Sequence, residues 1–333
     1  MSKKLSTPLR TLIVQPEDTA LPVLGLMMSA THSLEVKQFT FFEPRLLQGV
    51  MDVHRRGAAV RVMLNPHRSS GDRANDDSFR TLEQAGVPVQ WTNPAFAVTH
   101  EKSMVVDGAR ALVATFNFVE KYFTDTRDYG IVTSDAAQVA EIAAGFEADW
   151  TRAPFHPTDH AGLLWSTSNS RRLMAQFIDR ARKSLFVQHP KFVDSIVVAR
   201  LVEAHARGVH VKVLCGGKHG LSDVDIPDTF SSLRILERVG VKVHRQKHLK
   251  LHAKLLLADG ARALVGSMNI DRSAFDRRRE LGIVVDDEAI VERLAEVFDR
   301  DWDRSHRWEA PDPLDSTTHD RDELPPDPHF AHD

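Results

Sequence analysis

The stretch His100-Glu-Lys102-Ser-Met-Val-Val-Asp107-Gly108-Ala-Arg110-Ala-Leu-Val113 decides the fold, because it returns as His252-Ala-Lys254-Leu-Leu-Leu-Ala-Asp259-Gly260-Ala-Arg262-Ala-Leu-Val265. The offset is 152 residues, and it persists downstream. Asn117 answers to Asn269, Asp128 to Glu280, Gly130 to Gly282, Phe146 to Phe298, and Asp149-Trp150 to Asp301-Trp302. Upstream, Arg55-Arg-Gly57-Ala-Ala-Val-Arg-Val62 resembles Ala206-Arg-Gly208-Val-His-Val-Lys-Val213 at an offset of 151. Solenoids need shorter and more numerous units. Two copies of domain size predict a pseudo-two-fold pair that shares an interface.

Within each copy the apolar pattern alternates between helix and strand. Val23, Leu26, Met27 and Ala30 recur at helical spacing, as do Met174, Phe177, Ile178 and Ala181. Strands are expected at 34–39, 60–64, 105–106, 111–114 and 130–133, and in the second copy at 185–189, 211–215, 255–257, 263–265 and 282–285. Gly57 and Gly208 sit where helix C-caps place glycine. Closing helices are expected over 136–150 and 288–302. The fold class is therefore α/β, each unit having a central mixed sheet flanked by helices. Domains are expected at 1–153 and 163–310, with a turn-rich linker at 154–162 and a disordered Pro-, Asp- and His-rich tail at 311–333.

The composition narrows the function classes. With 42% hydrophobic residues in 333, the chain has enough apolar material for packed cores. Lys and Arg total 43 against 46 Asp and Glu, so a uniformly basic nucleic-acid coat is excluded while a local basic patch is not. The single cysteine, Cys215, excludes an intrachain disulfide framework and fits a reducing compartment. Leu12-Ile13-Val14 is too short for a secretory signal, and 23–30 too short to span a bilayer. The expected location is the cytoplasm, with peripheral contact at a membrane.

The repeated motif carries the chemistry. Residues two apart on an extended strand share a face, so His100 with Lys102, and His252 with Lys254, each bring an imidazole and an ammonium together. Such a pair suits a phosphodiester: one group attacks or protonates and the other neutralises oxygen charge. The second copy in full, His252-x-Lys254-x4-Asp259-x6-Gly266-Ser267-x-Asn269, resembles the signature of the phospholipase D superfamily, and the resemblance covers nearly the whole chain. The first copy departs from it: Ala114-Thr115 replaces Gly-Ser, Asp128 replaces the commoner Glu, and Lys121 stands where the second copy has Ser273.

The resemblance implies a duplicated phospholipase D-type unit. It implies displacement at phosphorus in two steps through a phosphohistidine, with no cofactor and no metal. His100 is expected to be the nucleophile and His252 the acid and base. Lys102, Lys254, Asn117 and Asn269 would supply the electrostatics. Asp128 and Glu280, each 28 residues beyond the histidine of its own copy, would bond the catalytic imidazoles. Gly266 and Ser267 would shape the turn before Asn269, the Ser267 hydroxyl reaching the phosphoryl group, with Thr115 its counterpart. Asp107 and Asp259 are expected to be structural. Both motifs lie in one chain, so a monomer suffices.

The superfamily includes phospholipases, cardiolipin synthases and nucleases. Ahead of His100 the chain is apolar, with Trp91 and Phe96; around His252 it is basic, from Arg245 through Lys250 to Lys254. Apolar and basic walls of one cleft fit a glycerophospholipid, and the expected function is hydrolysis or phosphatidyl transfer of the cardiolipin synthase-like or phospholipase D type. Arg272 and Arg277–Arg279 enlarge the basic side and keep a metal-independent nuclease as an alternative. A second alternative is a non-catalytic phosphate-binding protein with a decayed first motif. Weaker patterns are the trio His244, His248 and His252, the turn Gly216–Gly220, a further His189-x-Lys191 that lines the cleft or lies at the surface, and the tail histidines His319, His329 and His332.

Overall fold

The computed structural model describes residues 8–68 and 70–312. The tail beyond 312, with its three histidines, lies outside the described residues. The first repeat runs β1 (Arg10–Gln15), α1 (Leu21–Met28), β2 (Ser33–Gln38), α2 (Pro44–Arg55), β3 (Ala59–Leu64), α3 (Asp76–Gln84), β4 (Val89–Trp91) and β5 (Val98–Thr99). It continues through β6 (Ser103–Val106), β7 (Arg110–Ala114), α4 (Lys121–Thr124), β8 (Thr126–Thr133) and α5 (Ala136–Thr151). The second runs β9 (Leu163–Trp165), α6 (Ser170–Asp179), β10 (Ser184–Gln188), α7 (Ser195–Ala206), β11 (His210–Cys215), α8 (Asp225–Arg238), β12 (Lys242–Arg245) and β13 (Lys250–Leu251). It closes with β14 (Leu255–Ala258), β15 (Arg262–Gly266), α9 (Arg272–Asp276), β16 (Arg278–Arg279), β17 (Leu281–Val285), α10 (Glu288–Asp303) and β18 (His306–Arg307).

The two sheets have the same order. The first is β1-β8-β7-β6-β2-β3-β4 and the second β9-β17-β15-β14-β10-β11-β12-β18. In each, three strands are parallel, joined by helical crossovers, and the rest are antiparallel. The short apolar run Leu12–Val14 is part of the edge strand β1, paired with β8. Trp308 and Ala310 still belong to the second repeat's core.

Period-two alternation explains the layers. Met104, Val106, Leu112 and Ala114 face the core under α1 and α2, while Val105, Ala111 and Val113 face the opposite way. In the second repeat Leu256, Ala258 and Leu264 face α6 and α7, while Leu255, Leu257, Ala263 and Val265 face inward. The inward faces of both sheets meet in one central core with residues of α5 and α10. Strands buried on both faces read as continuous apolar runs, which is how these appear in the sequence. The antiparallel register places Ser103 opposite Lys37 and Leu255 opposite Gln188, so the segments before β6 and β14 emerge at the C-terminal ends of β2 and β10.

Candidate active site

Each histidine lies on a segment gripped by the other repeat. β5 pairs with β16, and the amides of His100 and Glu101 both donate to the Arg279 carbonyl, at 2.9 and 3.0 Å. β13 pairs with β8, and the amides of His252 and Ala253 donate to the Arg127 carbonyl, at 3.3 and 2.8 Å. The His-x-Lys segments are thus not strands of their own sheets, contrary to the extended-strand reading, because their backbone donors are spent on the partner repeat. Imidazole and ammonium still meet. Lys102 Nζ and Lys254 Nζ each donate to the carbonyl of their own histidine at 2.6 Å, and Lys254 Nζ lies 2.9 Å from His252 Nε2.

The acids cross between repeats. His100 Nδ1 lies 3.0 Å from Glu280 Oε2, and His252 Nδ1 lies 2.7 Å from Asp128 Oδ1. The 28-residue spacing within a copy therefore does not describe the contact. Each acid follows the Arg whose carbonyl holds the opposite segment, so it serves the opposite histidine.

Partners fix the His100 tautomer. Its Nδ1 also lies 3.2 Å from the Ser267 carbonyl, which can only accept. Nδ1 therefore carries the proton and Nε2 the lone pair. His100 Nε2, both amide atoms of Asn117 and Asn269 Oδ1 are buried without a hydrogen-bond partner. Buried polar atoms rarely stay unpaired, so the motif residues keep hydrogen-bonding capacity open. Phe39 meets the His100 ring edge-on at 4.8 Å, and Tyr122 tilts against His252 at 4.7 Å.

The electrostatics of the two halves differ. Burial, with Lys102, Lys254, Arg278 and His252 nearby, holds His100 well below the ordinary imidazole pKa. Burial pushes Glu280 up to about 7, against the pull of Lys102 and Arg278. Burial also works to raise Asp128, but His252 and Lys254 with the Thr115 hydrogen bond outweigh it and hold the carboxylate ionised. Asp128 accepts further from the Thr126 hydroxyl at 2.6 Å.

The remaining motif residues brace the backbone. The Ser267 hydroxyl accepts from Leu281 N at 3.0 Å and donates to Leu281 O. Thr115 Oγ1 likewise accepts from Tyr129 N at 2.9 Å while donating to Asp128. A Cβ on Gly266 would stand 2.5 Å from Gly282 Cα and 2.6 Å from Leu281 O, so the two strands pass too closely there for a side chain. The first repeat fits Ala114 opposite Gly130 at the same place. Asp107 accepts from the amides of Thr31, His32 and Ser33 at 2.7–3.1 Å, and Asp259 from those of Arg182, Lys183 and Ser184 at 2.7–3.0 Å. Both stand at positive φ, 54° and 60°, and tie the β6–β7 and β14–β15 turns to the starts of β2 and β10.

Other expectations change. Arg279 is not on an open wall: it is buried, pairs with Asp149 at 2.9 Å and lies against Phe96, Phe155 and Trp165. Buried ion pairing and aromatic contact absorb its charge, leaving Arg272 and Arg277 as the exposed arginines of that stretch. Trp91 stacks on Phe79 at 4.2 Å with Arg73 nearby, so much of its ring is already engaged. Phe96 and Lys250 are half-buried. His189 and Lys191 are not at the surface. Lys191 pairs with Asp225 and Asp271, while His189, pushed down to about 3 by burial and Lys254, donates from Nε2 to the Met268 carbonyl. The zinc-like trio disperses: His244 stacks on Trp302, His248 bonds Asp301 and His252 bonds Asp128. Among the described residues no three His, Cys, Asp or Glu side chains converge as a metal site. Gly216–Gly220 is a turn after β11.

Sequence reasoning passed over Phe39, Tyr122 and Arg127, and read Arg279 only as part of a basic wall. The aromatics have no matching aromatic in the other copy and left no signal. The arginines did: they are 152 apart and immediately precede the two acids.

A duplicated α/β unit with one His-Lys-Asn-acid set per copy defines the class of the molecule. The family model described as "Cardiolipin synthase, PLD-like domain" matches twice, at residues 23–150 and 174–302, and the chain belongs to this phospholipase D-like family. A cardiolipin synthase of Clostridium perfringens is 24% identical over 77% of this chain and 62% of its own length. The chain thus spans about six tenths of that relative. Two solved structures share the fold. One is a phosphatidylserine synthase of Haemophilus influenzae (TM-score 0.70, 13% identity, 92% of this chain and 89% of that one). The other is a polyphosphate kinase of Porphyromonas gingivalis (TM-score 0.72, 17% identity, 90% and 48%).

Proposed function

We propose that the chain is a phosphodiesterase and phosphatidyltransferase acting on glycerophospholipids through a phosphohistidine. The observation that carries this reading is the buried set of His100, with its bare Nε2, His252, Lys102 and Lys254, with both Asn117 amide atoms and Asn269 Oδ1 also unpartnered. A phosphorus centre suits the bare Nε2, and phosphodiester oxygens suit the Asn117 amide N–H and the lysine cations. The names of its relatives, cardiolipin synthase among them, favour a lipid over a nucleic acid.

In this reading His100, neutral and protonated at Nδ1, attacks phosphorus through Nε2. Glu280 accepts the Nδ1 hydrogen bond and offsets the positive charge that develops on the ring. The ionised Asp128 favours an imidazolium at His252, which gives its Nε2 proton to the leaving alcohol. Lys254 turns from His252 to a phosphoryl oxygen as the substrate enters. His252 then takes a proton from water or an alcohol, which attacks the phosphohistidine and frees His100. Lys102, Lys254, Asn117 and Asn269 stabilise the charge that builds on phosphorus. Phe96 and the Trp91 edge would flank the acyl side, and Lys250 the headgroup. The exposed Lys247, Arg272 and Arg277 support peripheral contact with an anionic cytoplasmic bilayer face. A monomer carries both histidines. The domain division at 1–153, 154–162 and 163–310 belongs to the same reading.

Product analysis after incubation with mixed phospholipid vesicles and ethanol tests it. Phosphatidic acid with phosphatidylethanol is expected, since any small hydroxyl that reaches the intermediate competes with water. Neither product, with DNA cut under the same conditions, would put the nuclease reading in its place.

A further inference from the structure

The residue before each catalytic acid is an arginine, and both arginines reach the closing helix of the opposite repeat. On β8, Arg127 meets Asp301 of α10 in a fork, Nε to Oδ2 at 2.7 Å and Nη2 to Oδ1 at 3.0 Å. It also donates to the Gln15 carbonyl and to Glu17. On β16, Arg279 Nε meets Asp149 of α5 at 2.9 Å. The side chains of both pairs are 4% exposed or less. Together with the backbone contacts above, Arg127-Asp128 grips the second repeat at three points: the His252–Ala253 amides, the His252 ring and Asp301. Arg279-Glu280 grips the first repeat at the corresponding three: the His100–Glu101 amides, the His100 ring and Asp149.

We propose that Arg127 and Arg279 are positioning residues, each fixing the adjacent acid against the histidine of the opposite repeat by anchoring its strand on that repeat's closing helix. The link to catalysis rests on the phosphohistidine reading. The geometric coupling does not. Side chains of neighbouring residues on one strand point oppositely, so a strand fixed on one side by the arginine has little freedom to move the acid on the other. The two clamps are unequal. Gln188 and His248 also bond Asp301, completing the Arg127 clamp. In the Arg279 clamp Lys37 shares the Asp149 oxygen, and Arg279 Nη2 is buried without a partner. Lysine keeps the charge but loses the fork of Arg127 and the Nε contact of Arg279, so Arg→Lys tests geometry rather than sign.

The test uses the full chain and two readouts. One is the low-field proton resonance of each Nδ1–H bonded to its acid, assigned with the single-histidine variants. The other is kcat and KM on a phosphodiester. Arg127→Lys should shift or broaden the His252 resonance and spare that of His100; Arg279→Lys should do the reverse. Each should lower kcat about tenfold or more and leave KM within about twofold, since small misplacement of a reacting group costs rate rather than binding. Arg293→Gln, which removes a cross-repeat pair with Asp18 away from the site, should change neither readout. If an arginine variant does not fold, Asp301→Asn and Asp149→Asn loosen the same anchors and carry the same expectation. Folded variants with both resonances and kcat unchanged, or with both resonances disturbed equally by either variant, overturn the proposal. Selective resonance changes in a protein that turns over no phosphodiester leave the coupling standing and reject the phosphohistidine reading instead.

Discussion

At the scale of single residues, the two histidines differ in what surrounds them. His100 keeps a bare Nε2 and a depressed pKa, while His252 has Lys254 at Nε2 and an ionised Asp128 at Nδ1. Depression of His100 means that its nucleophilic, neutral form survives as pH falls through 6.5, the ordinary imidazole value. The group lost on the acid side is then the Glu280 carboxylate, raised to about 7, so the acid limb of kcat/KM in free enzyme should have its midpoint near 7 and move in Glu280→Gln; a limb unchanged in that variant would contradict the assigned roles. Cationic charge at phosphorus is assigned to Lys102 and Lys254, so EDTA should leave turnover intact; loss restored by added metal would contradict this. His, Lys and Asn were legible in the sequence because each occurs twice in register. The cross-repeat pairing was not, since spacing along the chain says nothing about which copy an acid faces. Arg279 was misread because a basic stretch does not show which side chains the core consumes.

At the scale of elements, the site depends on how strands and turns are held. The close approach at Gly266 to Gly282 leaves no room for a methyl against backbone atoms. Gly266→Ala should cost about 1–3 kcal/mol, by analogy with overpacking, and lower kcat by displacing the Ser267–Asn269 turn. Denaturant unfolding and steady-state kinetics measure the two effects. Asp107→Asn should act on stability alone. Its carboxylate caps three amides at the start of β2, so its loss should cost roughly 1 kcal/mol, a few degrees in Tm, with kcat unchanged. The long elements were readable because their periodicity extends over several turns or pairs. The two-residue strands β5, β13 and β16 were not, although β5 and β13 lead directly into the histidines and all three hold the repeats together. A pair that short has no pattern of its own and forms only because the partner repeat supplies its ladder.

At the scale of the whole molecule, duplication is what makes the site. Each repeat supplies one imidazole and the carboxylate that holds the other, and the two sheets meet in one core behind them. The pseudo-symmetry was legible from the offset of 152, whereas the exchange of short strands and acids appears only when the copies are packed. This mutual dependence predicts that no residue set within one copy suffices for turnover. The most direct test is to quench the protein during turnover of a phospholipid, in wild-type and single-histidine variants, and map the covalent adduct by mass spectrometry. The account predicts a phosphatidyl group on His100, trapped and persistent in His252→Ala and absent from His100→Ala. An adduct on His252 in His100→Ala would reverse the roles, and turnover with no histidine adduct in any form would contradict the account.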